Sequence, residues 1–387
     1  MHPVLMRILL SVLSVIVWTG CGSGVEPEER DGGSPPPEDA GPPSPDGGVP
    51  LDVGSPDGGD RGPRWFTDDI DRGVLASLAV SDDGVVHVAH ALLFNNGAGE
   101  LRYSTNAAGR WETVVVKAGP RLGWNIDLAL QGNEPRIVYT DPTLFVDGTG
   151  DVYLATPSGD GWVWSTPGPS GVRLDVSLVA SPTGELGIAF GGGLGFEYAH
   201  SATPEWVGES ISDDHSSSVV ELAFSSVGVP CVAFIADDNA ASYAHRTESG
   251  WVLETIEAVA EWRGIIDLAV SPDDRAWVAF PFGDVVHVAV AADDGWVVST
   301  VGAGLDVFDL AIAVDTDGVG HIALTDATTH RVSHASSADG WAELTEIGST
   351  GTGDSFVDLA LDPAGRPHVV YSRWDTGGSH LRLVTRR

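Results

Sequence analysis

Cysteine and lysine are nearly absent from this sequence. Its two cysteines, Cys21 and Cys231, cannot make a disulfide framework, and we interpret Cys231 as a small core residue without a disulfide partner. Lys117 is the only lysine, and 20 Lys and Arg side chains stand against 55 Asp and Glu side chains, for a net charge of −35. This excess of acid argues against nucleic acid and anionic membrane surfaces as partners.

The sequence also lacks an apolar run of membrane-spanning length near its start. The run Ile8–Trp18 is too short to cross a bilayer and, with Arg7 ahead of it, is typical of an export signal. It ends in Thr19, Gly20 and Cys21, which resembles the lipobox of bacterial lipoproteins. That resemblance implies a lipoprotein-type signal peptide over residues 1–20, lipidation of Cys21, and export to the bacterial outer membrane or cell surface. An ordinary signal peptide is the alternative.

Apolar residues are scarce again in residues 21–63. This segment consists largely of Pro, Gly, Asp, Glu and Ser, so it cannot bury enough surface to offset its ordering entropy. We predict a disordered, acidic tether here. Most of the net charge nevertheless falls on residues 64–387, which we predict to be one domain.

A hairpin motif recurs throughout residues 64–387. In the copy Phe356–Tyr371, apolar residues alternate with polar or small ones, a Pro-Gly turn follows, and a second run of β-formers completes the hairpin. Each hairpin is followed by a short third strand and a fourth strand that opens with tryptophan. Six further copies begin at Ala76, Ile126, Val176, Val220, Ile266 and Phe308.

Four antiparallel strands in about 45 residues are the sequence mark of a β-propeller blade. The seventh copy ends without a tryptophan strand, but Arg64–Ile70 has that pattern and precedes the first hairpin. The sequence therefore predicts an all-β, seven-bladed β-propeller of four-stranded antiparallel blades. An N-terminal strand completes the last blade and removes the exposed sheet edge. We expect a monomer.

Two turns between third and fourth strands, Ser158–Trp162 and Ser337–Trp341, are shortened forms of the Asp-box S-x-D-x-G-x-x-W. In these turns and in their repeats, residues 64–387 resemble bacterial propeller proteins of the broad BNR or sialidase-like group. Sialidases of that group carry an F/Y-R-I-P motif for their arginine cluster. Only Pro135–Val138 comes near it, inside a strand, so sialidase activity is not expected.

The repeats agree on one face of the ring and differ on the other. Loops that enter the first and third strands of each blade are long and dissimilar, for example residues 140–151 and 258–264, whereas the opposite turns are short and uniform. We call the side with the long loops the variable face. Such a division favours a scaffold on one face and ligand binding on the other.

Tryptophans separate into two groups by the same comparison. Trp164 and Trp277 fall within strands, and we predict that they lie in the core. The repeat column, which we interpret as blade packing, is Trp65, Trp111, Trp162, Trp206, Trp251, Trp296 and Trp341.

Three tryptophans on the variable face break the repeat, and each has an arginine nearby. Exposed Trp beside Arg is a common composition for a sugar or peptide anchor. Alternatively, each tryptophan only fastens a loop to its own blade. The candidate ligand-binding residues are Trp124, Trp262, Trp374, Arg121, Arg263 and Arg373.

Carboxylates recur at the second hairpin position, which lies in the innermost strand near the channel mouth. They could hold a hard cation such as Ca²⁺, because several carboxylates around one axis repel unless protonated or metal-bound. Alternatively, each accepts backbone N–H groups from a neighbouring loop, once per blade. Residues 147–151 are a second possible calcium loop. The candidate metal ligands are Asp127, Glu221, Asp267, Asp309 and Asp358.

No Ser/His/Asp or Cys/His set is recognisable, so the sequence offers no catalytic residue. Three functions stay open. The first is an envelope- or surface-anchored module that binds a glycan or an envelope protein on the variable face. The others are a glycan-active hydrolase or lyase that uses the channel-mouth carboxylates, and a structural or assembly propeller of the envelope.

Overall fold

The computed structural model describes residues 64–94, 98–120, 124–140, 152–167, 175–191, 196–202, 205–212, 217, 219–258 and 264–387. The predicted signal peptide, Cys21, the tether and residues 147–151 lie outside these ranges, as do Arg121, Trp262 and Arg263. Within the described ranges no helix is long and apolar enough to cross a membrane.

The described chain begins with strand β1 (Trp65–Arg72) and continues into the first blade. Blades 1 to 3 each contain four strands in chain order. They are β2 (Val74–Val80), β3 (Val86–Leu93), β4 (Ala98–Thr105) and β5 (Glu112–Pro120); β6 (Trp124–Gln131), β7 (Glu134–Thr140), β8 (Val152–Ser158) and β9 (Gly161–Ser165); and β10 (Asp175–Ala180), β11 (Leu186–Gly191), β12 (Phe196–Ala202) and β13 (Glu205–Ser212).

Blades 4 to 6 repeat this arrangement, and blade 7 supplies three strands of its own. A 3₁₀ turn, Ser337–Asp339, precedes the last strand of blade 6. The strands are β14 (Val220–Phe224), β15 (Pro230–Ile235), β16 (Ala240–Thr247) and β17 (Gly250–Ala258); β18 (Asp267–Val270), β19 (Ala276–Phe282), β20 (Val285–Ala292) and β21 (Gly295–Val301); β22 (Val307–Val314), β23 (Gly320–Asp326), β24 (Arg331–Ser336) and β25 (Thr345–Ser349); and β26 (Val357–Leu361), β27 (Pro367–Asp375) and β28 (Gly378–Arg386).

The N-terminal strand completes the last blade, as predicted. The four strands of blade 7 are hydrogen-bonded in the order β1-β28-β27-β26, and β1 runs antiparallel to β28. The backbone N–H of Arg64 donates to the carbonyl of Arg387 (2.9 Å), and the reverse bond is 2.8 Å long. The innermost strands β2 and β26 contact each other, so the ring closes between blades 1 and 7. The prediction of a closed, seven-bladed, all-β propeller is confirmed.

Tryptophans of the repeat column pack between blades. Trp162 of blade 2 meets Tyr103 of blade 1 edge to face, with ring centroids 5.6 Å apart, and Trp251 of blade 4 meets Tyr198 of blade 3 at 5.5 Å. In such pairs the positive ring edge faces the negative ring face. Equivalent contacts join Trp296 to Tyr243, Trp341 to Trp277, and Trp65 to His334.

Three single-residue predictions have mixed outcomes. Cys231 is buried, as expected, and its thiol donates to the carbonyl of Ala223 (3.4 Å). Trp277 packs against Trp341 in the core between blades 5 and 6. The prediction for Trp164 is wrong, because this side chain is 46% exposed. It lies on the outermost strand of blade 2, where a strand position does not guarantee burial.

Candidate ligand site at the rim of the ring

Acidic side chains recur on the innermost strands of the blades. All five predicted carboxylates lie on innermost strands, and Asp175 joins them. We call these six side chains the channel ring. The comparison missed Asp175 because the repeat position itself holds Ser177 in blade 3. Asp175 precedes that serine by two residues and so lies on the same face of strand β10.

Side chains of the inner strands fasten neighbouring blades together. The backbone N–H of Leu178 in blade 3 donates to Asp127 of blade 2 (2.6 Å), which also accepts the N–H of its own neighbour Leu128 (2.7 Å). Ser77 of blade 1 likewise accepts the N–H of Leu128 (3.1 Å). The same bond in the same direction runs from Val220 to Asp175, Ile312 to Asp267, Val357 to Asp309, and Leu78 to Asp358.

These bonds correspond to the structural interpretation of the acids, with one difference. The donors belong to the next inner strand and not to a loop. Five of the six channel-ring acids, all except Glu221, therefore join one blade to the next. Within the described residues, no group of three or more His, Cys, Asp or Glu side chains is placed to hold a metal ion.

Burial changes the protonation of the channel ring. Desolvation raises the pKa of Asp175 and of Asp309 to about 7, and that of Asp358 to about 6. The pKa values of Glu221 and Asp267 also lie well above the ordinary range, chiefly through desolvation. Carboxylates that share one channel also repel one another, so the ring retains protons at a pH where exposed acids are ionised.

The predicted variable-face residues are only partly described. The indole N–H of Trp374 donates to the carbonyl of Asp354 (2.9 Å), and a Cβ built on Gly353 would lie 3.0 Å from the indole ring. Trp374 thus holds a loop against blade 7, which matches the alternative given for these tryptophans. Arg373 is half-buried beside it. Trp124 begins strand β6, and its role in binding stays a prediction.

A cleft of about 600 Å³ opens elsewhere, at the rim of the ring between blades 2 and 3. Trp206 of strand β13 forms part of its wall, and Gly208 and Ser210 follow on the same face of that strand. The sequence analysis did not single out this position. The lining consists of Thr166, Glu197, Glu205, Trp206, Gly208, Glu209 and Ser210.

Gly208 explains why there is space here. It stands two residues after the repeat tryptophan, on the strand face that points to the preceding blade. In blade 4 the same position is Leu253, which packs on the core between blades 3 and 4, and in blade 5 it is Val298. The other blades have Thr67, Thr113, Trp164, Leu253, Val298 and Glu343 at this position. A lone glycine in this column is the sequence signal that could have located the cleft.

The equivalent space between blades 1 and 2 is filled. Here the same position is Trp164, and the ammonium of Lys117 lies 5.8 Å from its ring centroid and 4.6 Å from that of Tyr153. The Lys117 Nζ also donates to the hydroxyl of Tyr139 (2.8 Å). Cation–π contacts of this kind stabilise a partly exposed lysine. The contact with Lys117 of blade 1 explains why the Trp164 side chain of blade 2 lies half-exposed at the junction of these two blades.

Three glutamates are among the residues that line the cleft. Glu209 is held from blade 4, since Arg246 Nε donates to it (2.7 Å) and so does the indole N–H of Trp251 (3.1 Å). Glu197 lies opposite Ser210 in the pairing of β12 with β13, and Glu205 is exposed at the other end of the strand. The lining residues include no lysine, arginine or histidine. The cleft therefore combines an indole wall with two hydroxyl groups.

No protein-family model matches this chain, and no curated protein matches it. Solved structures do resemble it. The protein AofleA from Arthrobotrys oligospora is 12% identical, with 70% of this chain and 86% of that chain covered and a TM-score of 0.50. The SapL1 lectin, solved with alpha methyl fucoside, is 13% identical, with 72% and 97% covered and a TM-score of 0.49. Trypanosoma rangeli sialidase is 11% identical, with 82% and 55% covered and a TM-score of 0.38. At these identities the likeness concerns the fold, and the chain is a β-propeller.

Proposed function

We propose that this protein is a glycan-binding propeller that holds a sugar in the cleft between blades 2 and 3. The cleft, opened by Gly208 beside the Trp206 indole, is the observation that carries the proposal. Its volume of about 600 Å³ suits a small ligand, within the usual range of roughly 300–1,000 Å³ for such sites. An indole offers an apolar surface for the C–H face of a sugar ring. The hydroxyl groups of Ser210 and Thr166 can bond the hydroxyl groups of the sugar.

Binding without hydrolysis fits the channel ring better than catalysis does. A glycosidase needs one carboxylic acid and one carboxylate free to reach the scissile bond. In the channel ring, Asp127, Asp267 and Asp358 each accept two backbone N–H groups, one of them from the next blade. These oxygens are committed to joining blades.

Replacing Gly208 by leucine should abolish glycan binding while the fold is kept. Leucine already occupies the same position in blade 4, as Leu253, so the side chain is compatible with the blade and fills the cleft. Glycan-array screening followed by calorimetry with the best ligand should show at least about a tenfold loss of affinity.

Val207→Leu is the matched control. Val207 is 49% exposed and lies on the opposite face of the same strand, so a leucine at this position leaves the cleft open. Both variants should melt like the wild-type protein. Unchanged binding by Gly208→Leu, or equal losses in the two variants, would place the glycan elsewhere.

We also propose that the propeller is held at the bacterial envelope through a lipid on Cys21, with residues 21–63 as its tether. Cys21→Ser should move the protein from the membrane fraction to the soluble fraction, because an acidic domain has little affinity of its own for an anionic surface. Fractionation and immunoblotting measure this shift. Membrane retention of Cys21→Ser would contradict the anchor.

A further inference from the structure

Cationic side chains are scarce in this acidic chain, yet several of them meet on one side of blade 7. Arg373 of β27 lies directly opposite His380 of β28, which in turn lies opposite Arg72 of β1. Residues paired in this way point to the same side of a sheet, with Cβ atoms about 5 Å apart. Arg382 follows His380 by two residues and shares that side. His380 also lies 3.6 Å from Asp375. We call Arg72, Arg373, His380 and Arg382 the basic face.

The basic face points towards blade 6. Tyr371 precedes Arg373 by two residues and pairs with Arg382, so all three share one side of the sheet. Tyr371 packs in the core between blades 6 and 7, where a Cβ built on Gly348 of blade 6 would overlap its hydroxyl. Burial raises the pKa of the Tyr371 hydroxyl, and the nearby charges of Arg382 and Arg373 oppose that shift. Two guanidinium groups therefore converge at this blade junction.

Arg373 has no partner among the residues that the structure describes. Its Nε atom is buried without a hydrogen-bond acceptor, and no described residue forms an ion pair with its guanidinium. A guanidinium stays charged and carries five N–H donors, so leaving it half-buried and unpaired costs free energy. An unpaired group of this kind calls for a specific explanation, and an acceptor that comes from a ligand supplies one.

Nearby acids neutralise only part of the basic face. Arg382 pairs with Asp69 (2.9 Å). Arg72 donates to the carbonyl of Gly377 (3.3 Å) and, like Arg373, has no carboxylate partner in the described part of the chain. At physiological ionic strength, charges beyond about 8 Å are largely screened. The arginines of this face, and not the net charge of −35, therefore decide which ions bind here.

We propose that the basic face binds an oxyanion, a carboxylate, sulfate or phosphate group of a small acidic ligand, with Arg373 as its principal donor. The planar fork of an arginine gives such a group two parallel N–H···O bonds. Arg382 and Arg72 add positive charge on either side. A nucleic acid or a membrane surface would also meet the acidic remainder of the domain, so a single anionic group fits better. The site is separate from the cleft between blades 2 and 3 and does not depend on glycan binding.

Melting of the full chain in rising concentrations of sodium sulfate, sodium phosphate or sodium acetate tests this site, with ionic strength held constant by sodium chloride. An anion that binds only the folded protein raises the melting temperature by mass action. Sulfate and phosphate also stabilise proteins by exclusion from their surface, so the informative quantity is the difference between variants. We expect a saturating rise for the wild type with at least one of the three anions. Half-saturation should need at least about a tenfold higher concentration in Arg373→Gln. Comparing acetate with the two tetrahedral anions identifies which group the site prefers.

Two further variants separate the fork of Arg373 from its charge. Arg373→Lys keeps the charge and loses the fork, so its half-saturation should shift severalfold. Arg110→Gln is the matched control, because it also removes one arginine, which is exposed in blade 1 and paired with Glu112. It should respond to the anions like the wild type. In sodium chloride alone, Arg373→Gln should melt like the wild type, since no partner of the guanidinium is lost.

Three results would overturn the oxyanion site. One is an equal response of the wild type and Arg373→Gln, or an equal loss in Arg110→Gln, because the anions would then act on the surface as a whole. Another is a lower melting temperature of Arg373→Gln in sodium chloride alone, which would give Arg373 a role in the fold. The third is the lack of a saturating rise with all three anions. None of these results bears on the cleft, whose own test is Gly208→Leu.

Discussion

Deletion of residues 64–72 from the full chain should destroy the cooperative unfolding of the propeller. Strand β1 is the outermost strand of blade 7, and its residues pair with β28 from Trp65 to Arg72. The deletion removes buried Ile70 from the core shared by blades 7 and 1, and Trp65 from the core shared by blades 6 and 7. It also leaves β28 as an unpaired edge next to the point of closure.

The expected loss is large. A large-to-small change at a buried aliphatic or aromatic position costs about 2–5 kcal/mol. Here buried Ile70 and partly buried Trp65 are lost together with a strand of backbone hydrogen bonds. Since the free energy of unfolding of a domain is only about 5–15 kcal/mol, the expected loss is comparable to the total stability of the domain. Calorimetry should show a melting transition that is strongly lowered or absent, and exposed edges should promote aggregation.

A deletion of equal length within the predicted tether, residues 50–58, is the control and should not alter melting. If the protein without residues 64–72 melts like the intact one, β1 does not close the ring.

Asp309→Asn should stabilise the protein increasingly as the pH rises. Asp309 accepts the backbone N–H of Val357 across the junction of blades 6 and 7 (2.8 Å), and burial raises its pKa to about 7. A group whose pKa is raised on folding contributes stability at a pH below its pKa in the unfolded state. That contribution is lost as the pH rises through the folded pKa. The asparagine oxygen keeps the bond to Val357 and carries no charge at any pH.

The difference in unfolding free energy between Asp309→Asn and the wild type should therefore grow between about pH 4 and pH 7 and then level off. A difference of roughly three pKa units corresponds to about 4 kcal/mol, at about 1.4 kcal/mol per unit. Urea unfolding at about pH 5 and about pH 8 measures it. Asp317→Asn, at an exposed turn, is the control variant. A difference that is constant with pH would contradict a raised pKa for Asp309.

The difference in unfolding free energy between Asp309→Asn and the wild type is more informative than the pH dependence of the wild type alone. The reason is that buried histidines change the stability with pH in the opposite direction. Desolvation lowers the pKa of His90 to about 4 and that of His334 to about 3. A histidine whose pKa is lowered on folding contributes stability at a pH above its ordinary pKa. That stability is lost as the pH falls below the ordinary pKa. The two trends overlap in the same acidic range, and subtracting the wild type from Asp309→Asn leaves only the carboxylate.

Repeat comparison was strongest where a position recurs. It identified the packing tryptophans, the innermost strands and most of the channel ring, because a residue that returns once per blade has one role fixed by geometry. It could not assign that role fully. Asp127 and Asp358 each bond the inner strand of the next blade. The partner of Asp127 is 51 residues away in the sequence, and that of Asp358 is 280 residues away.

Comparison failed where a repeat departs from its column. Trp164 was predicted to lie in the core, yet its side chain is half-exposed and contacts Lys117. A side chain on the outermost strand is buried only where side chains of the neighbouring blade cover it. Gly208 passed unnoticed, since a missing side chain becomes a cleft only when the opposing blade also leaves the space open.

By itself, the sequence determined the all-β class, the number of blades and the closing strand. Those follow from period-two alternation, turn residues and the recurrence of one tryptophan, all of them local patterns. The tertiary structure decided that the channel acids bond one blade to the next and that the open cleft lies at the rim between blades 2 and 3. Both depend on contacts between blades, and the free energy of such contacts comes from surfaces that only the closed ring brings together.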